Sequence, residues 1–225
     1  MTPAIEYRQV VDSREAAKAA LAFLLQQSAA AIVERGRFIF AMSGGRTPKL
    51  LYQMLATTDQ DWSRWHLLYG DERCLPRSDR GRTSTMVEQC WLNKVNFPAD
   101  NHHVPLVEHG ADVAAMDYGA AIESLLPIDL VLLGMGEDGH TASLFPGQTH
   151  PEQVVVPVHN SPKPPADRVS LSYTTLRNAA TVCFLVTGSA KRESLERWLQ
   201  GADLPIARVH GRNQTVLITD IATPP

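Results

Sequence analysis

Apolar residues fall along this chain in two rhythms. Phe38-Ile39-Phe40-Ala41-Met42, Trp65-His66-Leu67-Leu68-Tyr69, Ile128 to Leu133, Thr181 to Val186 and Thr215 to Thr219 are short, nearly unbroken apolar runs. Runs of that length and composition predict strands buried on both faces. The stretches between them carry the helical period. Asp12 to Glu34 opens with the capping-box pattern Asp12-Ser13-Arg14-Glu15, bears an apolar stripe of Ala17, Ala20, Leu21, Leu24 and Leu25, and stops at Gly36. Further helices are predicted after Pro48, placed at or near the first helical position, near Met86 to Leu92, from Ala111 to Leu126, and from Lys191 to Leu199. Pro76 to Arg82 reads as a polar loop. Pro157 to Pro165, with prolines at 157, 162, 164 and 165, reads as an irregular surface loop, and Val169 to Tyr173 as extended chain.

Strands that alternate with helices predict βαβ units. The expected fold is α/β, a three-layer α/β/α sandwich around a mostly parallel, Rossmann-like sheet. Residues 1–225 carry no repeat, low-complexity tract or long linker, so one domain is expected.

In open α/β sheets, ligands bind beyond the carboxyl ends of the strands. Four polar glycine turns stand there: Ser43-Gly44-Gly45-Arg46-Thr47, Gly70-Asp71-Glu72-Arg73, Gly134 to His140, and Thr187-Gly188-Ser189-Ala190-Lys191. The first precedes a helix, whose free amides and dipole favour a phosphate. Ser43, Thr47 and Arg46 would add donors, and Lys191 would close the site as a point charge. A plain turn with Thr47 as N-cap is the alternative. No Gly-Lys-Ser/Thr follows, so this is not a Walker A loop. Gly134-Met135-Gly136-Glu137-Asp138-Gly139 fits G-x-G-x-x-G literally. Two carboxylates facing a pyrophosphate, and Pro146 cutting short any helix, argue against a dinucleotide site.

His140 is the candidate general base, since imidazole titrates near neutrality; Asp138 or Glu137 would fix its tautomer. Arg73 would stabilise an oxyanion, unless it pairs with Asp71 or Glu72. Asp71 is counted among the substrate contacts. Arg168 is either a phosphate or hydroxyl contact or a solvated arginine. The remaining histidines read as loop or isolated polarity.

Composition narrows the partners. A net charge of −3 gives no global pull toward nucleic acid or an anionic membrane, so any anion site must be local. No run of about 18 apolar residues suggests a membrane span, and Met1 to Tyr7 lacks a signal-peptide pattern. Cys74, Cys90 and Cys183 are few and scattered, which fits a reduced, cytoplasmic setting. Neither H-E-x-x-H nor C-x-x-C occurs, so no metal site is expected. A small-molecule substrate and a monomer or weak homodimer complete the expectation.

Met42 to Pro48, Gly70-Asp71-Glu72-Arg73-Cys74-Leu75-Pro76, Gly134 to Gly147 and Arg168-Val169-Ser170-Leu171 together resemble the 6-phosphogluconolactonase branch of the glucosamine/galactosamine-6-phosphate isomerase family. The resemblance runs along nearly the whole chain and is most specific at Gly134 to Gly147. It implies hydrolysis of 6-phospho-D-glucono-1,5-lactone, the second step of the oxidative pentose phosphate pathway, with no cofactor. The sister deaminases typically read Asp-Glu-Tyr where this chain has Asp71-Glu72-Arg73, and carry a glutamate where it has Phe145. Many lactonases have Ser-Asn in the loop after Asp79, where this chain reads Arg82-Thr83-Ser84-Thr85. A non-catalytic sugar-phosphate sensor would not need His140, and a generic esterase lacks its G-x-S-x-G elbow.

Overall fold

The computed structural model describes residues 4–222; the part of the leader reading that falls on Met1 to Pro3 lies outside them. The predicted runs form strands β2 (Phe38–Met42), β3 (Trp65–Tyr69), β5 (Leu130–Leu133), β8 (Thr181–Val186) and β9 (Gln214–Thr219). With β1 (Ile5–Gln9) they make one six-stranded sheet in the order β1-β9-β8-β5-β2-β3, with every pairing parallel. The alternation of side chains across the sheet splits the core in two. Phe38, Phe40, Met42, Leu130, Leu132, Cys183 and Leu185 face one side, with α1 (Ser13–Arg35), α2 (Arg46–Leu55) and α3 (Thr83–Cys90). Ile39, Ala41, Val131, Leu133, Val182 and Phe184 face the other, with α4 (Ala111–Ile122) and α6 (Arg192–Leu199). The layers are those expected, and all three cysteines are free.

Asp12 caps α1 by accepting from the amides of Arg14 and Glu15, and Gly36 ends it at φ 74°. The Glu15 carboxylate pairs with Lys18. By length and composition α1 is apolar enough to cross a membrane, contrary to the sequence reading. Its buried face, which includes Ala17, Ala20, Phe23 and Leu24, packs as a core helix against the sheet.

Several expectations need correcting. Asp71–Arg73 is not a turn but strand β4, which leaves the main sheet and pairs antiparallel with β7 (Arg168–Leu171). The proline segment begins as strand β6 (Val155–Val158), which completes this second sheet in the order β4-β7-β6. Pro157 is tolerated because β6 is an edge. Tyr173 is not extended; it opens α5 (Tyr173–Arg177), capped by Ser172. Helix α2 starts at Arg46 with Gly45 as N-cap, so Thr47 is not the cap and Pro48 is the third helical residue. Helix α3 starts at Thr83, earlier than its apolar pattern suggests.

Candidate active site

Strands β2 and β5 are neighbours, and the chain leaving β2 goes to β3 on one flank while the chain leaving β5 goes to β8 on the other. Such a switch point opens a crevice at the strand ends. A cavity of about 360 Å³ occupies it, lined by Ser43, Gly44, Gly45, Asp71, Arg73, His140, Lys163, Arg168 and Lys191, among others. Arg46 and Thr47 line an adjoining cavity of about 310 Å³ that shares Gly44, Gly45 and Lys191. The eight predicted substrate contacts, His140 and Arg73 are thus brought to two neighbouring hollows. Asp138 stands behind His140.

The turn after β5 is built to present one imidazole. The Gly136 amide donates to the His140 carbonyl at 2.8 Å, and the Thr141 hydroxyl donates to the Gly134 carbonyl at 2.8 Å. His140 Nδ1 lies 2.5 Å from Asp138 Oδ1. Burial works against the Asp138 carboxylate, but its bonds to His140 and the imidazole's charge outweigh this and hold its pKa below the usual value. An ionised carboxylate only accepts, so Nδ1 carries the proton and Nε2 keeps a free lone pair. Asp138, not Glu137, therefore sets the tautomer. Burial lowers the His140 pKa despite the opposing pull of Asp138. Phe145 packs on the imidazole with ring centres 4.6 Å apart.

Gly136 is required by close approach. A Cβ there would sit 2.0 Å from His140 Nδ1 and 2.5 Å from Asp138 Oδ1. Gly136→Ala is expected to push the imidazole aside and lower kcat by about 10²-fold, the usual cost of an ångström's misplacement. Steady-state kinetics beside circular dichroism would check this; wild-type kcat in a folded variant would refute it.

Strand β4 distributes its side chains by the period of two. Asp71 and Arg73 share a face, opposite Ser170 and Arg168 of β7, while Glu72 points the other way. Asp71 accepts from the Ser143 hydroxyl at 2.6 Å. Arg73 pairs with neither Asp71 nor Glu72; its Nη1 donates to the Gly81 carbonyl, and its Nε is buried without a partner. Arg73 thus lies directly across from Arg168, a like-charge pairing that costs stability unless an anion relieves it. Arg168 is buried, which removes the solvated reading. Its Nε and Nη2 donate to the carbonyls of Lys163, Pro164 and Pro165.

At the β2 end, the Tyr52 hydroxyl holds the Ser43 peptide, accepting from its amide at 3.2 Å and donating to its carbonyl at 2.9 Å. The Ser43 hydroxyl remains buried and unpartnered. Thr47 and Thr187 hydroxyls lie 2.5 Å apart and tie the β2 and β8 ends together. Burial lowers the Lys191 pKa, and Lys163 pushes in the same direction against Glu137. Lys163 is the charged lining residue that sequence reading missed. Its proline-rich surroundings carry no strand-end signal.

A family model described as glucosamine-6-phosphate isomerases/6-phosphogluconolactonase matches residues 11–218. A 6-phosphogluconolactonase of Nostoc sp. is 36% identical over 187 residues, which cover 78% of this chain and 77% of that protein. One of Streptomyces coelicolor is 34% identical over 235 residues, covering 94% and 90%. The crystal structure of a 6-phosphogluconolactonase from Thermotoga maritima superposes with a TM-score of 0.90 at 26% identity, covering 96% of this chain and 99% of that one.

Proposed function

The chain belongs to the glucosamine-6-phosphate isomerase/6-phosphogluconolactonase family, and from that premise we propose that it hydrolyses 6-phospho-D-glucono-1,5-lactone with His140 as general base. The observation that carries this reading is the His140–Asp138 pair facing Arg73 and Lys191 across one cavity. His140 Nε2 takes a proton from water as the water oxygen bonds to C1. The carbonyl electrons move onto the carbonyl oxygen, where Arg73, which lines the cavity, meets the oxyanion. Collapse of the intermediate breaks the bond from C1 to the ring oxygen, which receives the proton from His140. The product is a carboxylic acid that ionises. A general base contributes about 10²–10⁴-fold and one oxyanion donor about 10²–10³-fold. The phosphate is held by the Ser43-Gly44-Gly45 turn, Arg46, Thr47 and Lys191, so binding at the non-reacting end orients the lactone. Phe145 stands against His140 where the resemblance gives the deaminases a glutamate, which supports the lactonase over ring opening of an aminosugar. Acid release from the lactone, corrected for spontaneous opening, tests the activity; a rate equal to background would refute it.

Lys191→Ala is expected to raise KM for the phosphorylated lactone by about 10- to 150-fold, the worth of one charged hydrogen bond. Arg46→Ala should act in the same direction but less, because Arg46 is exposed and lines only the adjoining cavity. Unphosphorylated gluconolactone makes no such contact, and its hydrolysis should not change. Equal impairment on both lactones would defeat the phosphate assignment.

A further inference from the structure

The β6–β7 loop, residues 159–167, is tied at its neck. His159 Nδ1 lies 3.0 Å from Asp167 Oδ1, the Ser161 amide donates to the Ala166 carbonyl at 2.8 Å, and the Cys74 amide donates to the Asp167 carbonyl at 3.0 Å. Its tip, Lys163-Pro164-Pro165, poses a different problem. Two consecutive prolines supply no N–H, so the tip cannot tie down its own carbonyls. Arg168 supplies the donors instead: Nη2 to the Lys163 carbonyl at 2.8 Å and the Pro164 carbonyl at 3.0 Å, and Nε to the Pro165 carbonyl at 3.3 Å. The Ser161 hydroxyl adds a bond to the Lys163 carbonyl at 2.8 Å. The guanidinium is itself fixed over the Phe145 ring at 5.5 Å, and Phe145 packs on His140. This planar fork suits three carbonyls in a way an ammonium does not.

The loop so held brings Lys163 into the cavity beside His140 and Lys191. Among the described residues no carboxylate pairs with Lys163. Its charge reaches both the imidazole and the Lys191 ammonium. Three of the five Arg168 N–H groups are already committed to the loop.

We propose that Arg168 is a positioning residue that clasps the proline tip, and that Lys163, delivered by that clasp, meets the anionic substrate between the reaction centre and the phosphate end. The proposal deepens the lactonase reading and rests on it. The charged groups that act on His140 are Asp138 and Asp71, which favour the imidazolium, and Lys163, which disfavours it. Arg168 acts on substrate only through the loop.

The test compares K163M, R168M and the double variant on the phosphorylated lactone. K163M is expected to raise KM by about 10- to 150-fold and to move the acid limb of kcat/KM to higher pH. R168M should reproduce both effects, and the double variant should be no worse than K163M, because residues acting through one contact are not additive. R168K should behave like R168M. Losses that multiply in the double variant would mean that Arg168 contacts substrate on its own, and the proposal would fall. Unchanged KM and pH profile in K163M would overturn it even if R168M does not fold. Calorimetric binding of 6-phosphogluconate to wild type and K163M separates this from the lactonase reading: without lactone turnover that reading fails, while equal product affinity in the two proteins sinks the Lys163 contact.

Discussion

Replacing His140 with Asn should lower kcat by about 10²–10⁴-fold, the range that a positioned base supplies, and leave 6-phosphogluconate affinity within about twofold. Asparagine can still accept or donate a hydrogen bond in the turn but cannot take a proton from water. The proposed phosphate contacts do not involve this side chain, so binding should survive. The pH dependence follows from the environment of the imidazole. Burial shifts its pKa down and Asp138 pulls it up, with burial the stronger. The neutral, basic form therefore persists to lower pH than in a free imidazole, and the acid limb of kcat/KM should lie below about pH 6.5. Asp138→Asn removes the upward pull, so it should displace the limb further down while lowering kcat through loss of the fixed tautomer. Background-corrected lactone hydrolysis across pH, with calorimetry for product, would check each point. Near-wild-type turnover in His140→Asn would eliminate the general-base role.

What could be read from the sequence was what lies close together in it. The five buried strands announce themselves because both faces are covered, leaving uninterrupted apolar runs. His140 and Asp138 are two residues apart, and their turn follows such a run. Strand β1 is invisible in this way. It pairs only with β9 at the sheet edge, and Ile5-Glu6-Tyr7-Arg8-Gln9 mixes charge with partial burial. The second sheet is hidden because its pairing joins Asp71–Arg73 to residues nearly a hundred positions later. A three-residue strand carries too little pattern to be told from a turn. The cation in the proline loop is hidden for a related reason: only Arg168, folded back over Phe145, shows where the tip is held.

The start of α3 depends on a contact across the loop that precedes it, and it yields the largest expected loss of stability. Arg82, at the N-cap position, makes no side-chain cap bond to the helix. The cap comes from Glu72 on β4, whose carboxylate accepts from the amides of Thr83 and Ser84 at 2.8 Å each and of Arg73 at 2.9 Å. Glu72 is 0% exposed and Arg82, 3.6 Å away, 1%. Glu72→Ala would leave three amides and part of a buried guanidinium without their acceptor. Glu108, Ser84 and the Pro105 carbonyl keep some of the Arg82 donors occupied. Breaking a buried pair from one side typically costs about 3–5 kcal/mol, or roughly 6–20 °C in Tm for a chain of this size. Glu72→Gln, which keeps one acceptor oxygen, should lose less. The damage should also reach the site. The Thr83 hydroxyl packs so closely on the Ser43-Gly44-Gly45 turn that a Cβ on Gly44 would lie 2.8 Å from it. A loosened α3 start should therefore raise KM for the phosphorylated lactone below the melting transition. Denaturant unfolding and KM measured on one preparation would test both effects. A loss under about 1 kcal/mol would mean that water replaces the carboxylate at the helix start, and that Glu72 is not what holds α3 against the Ser43-Gly44-Gly45 turn.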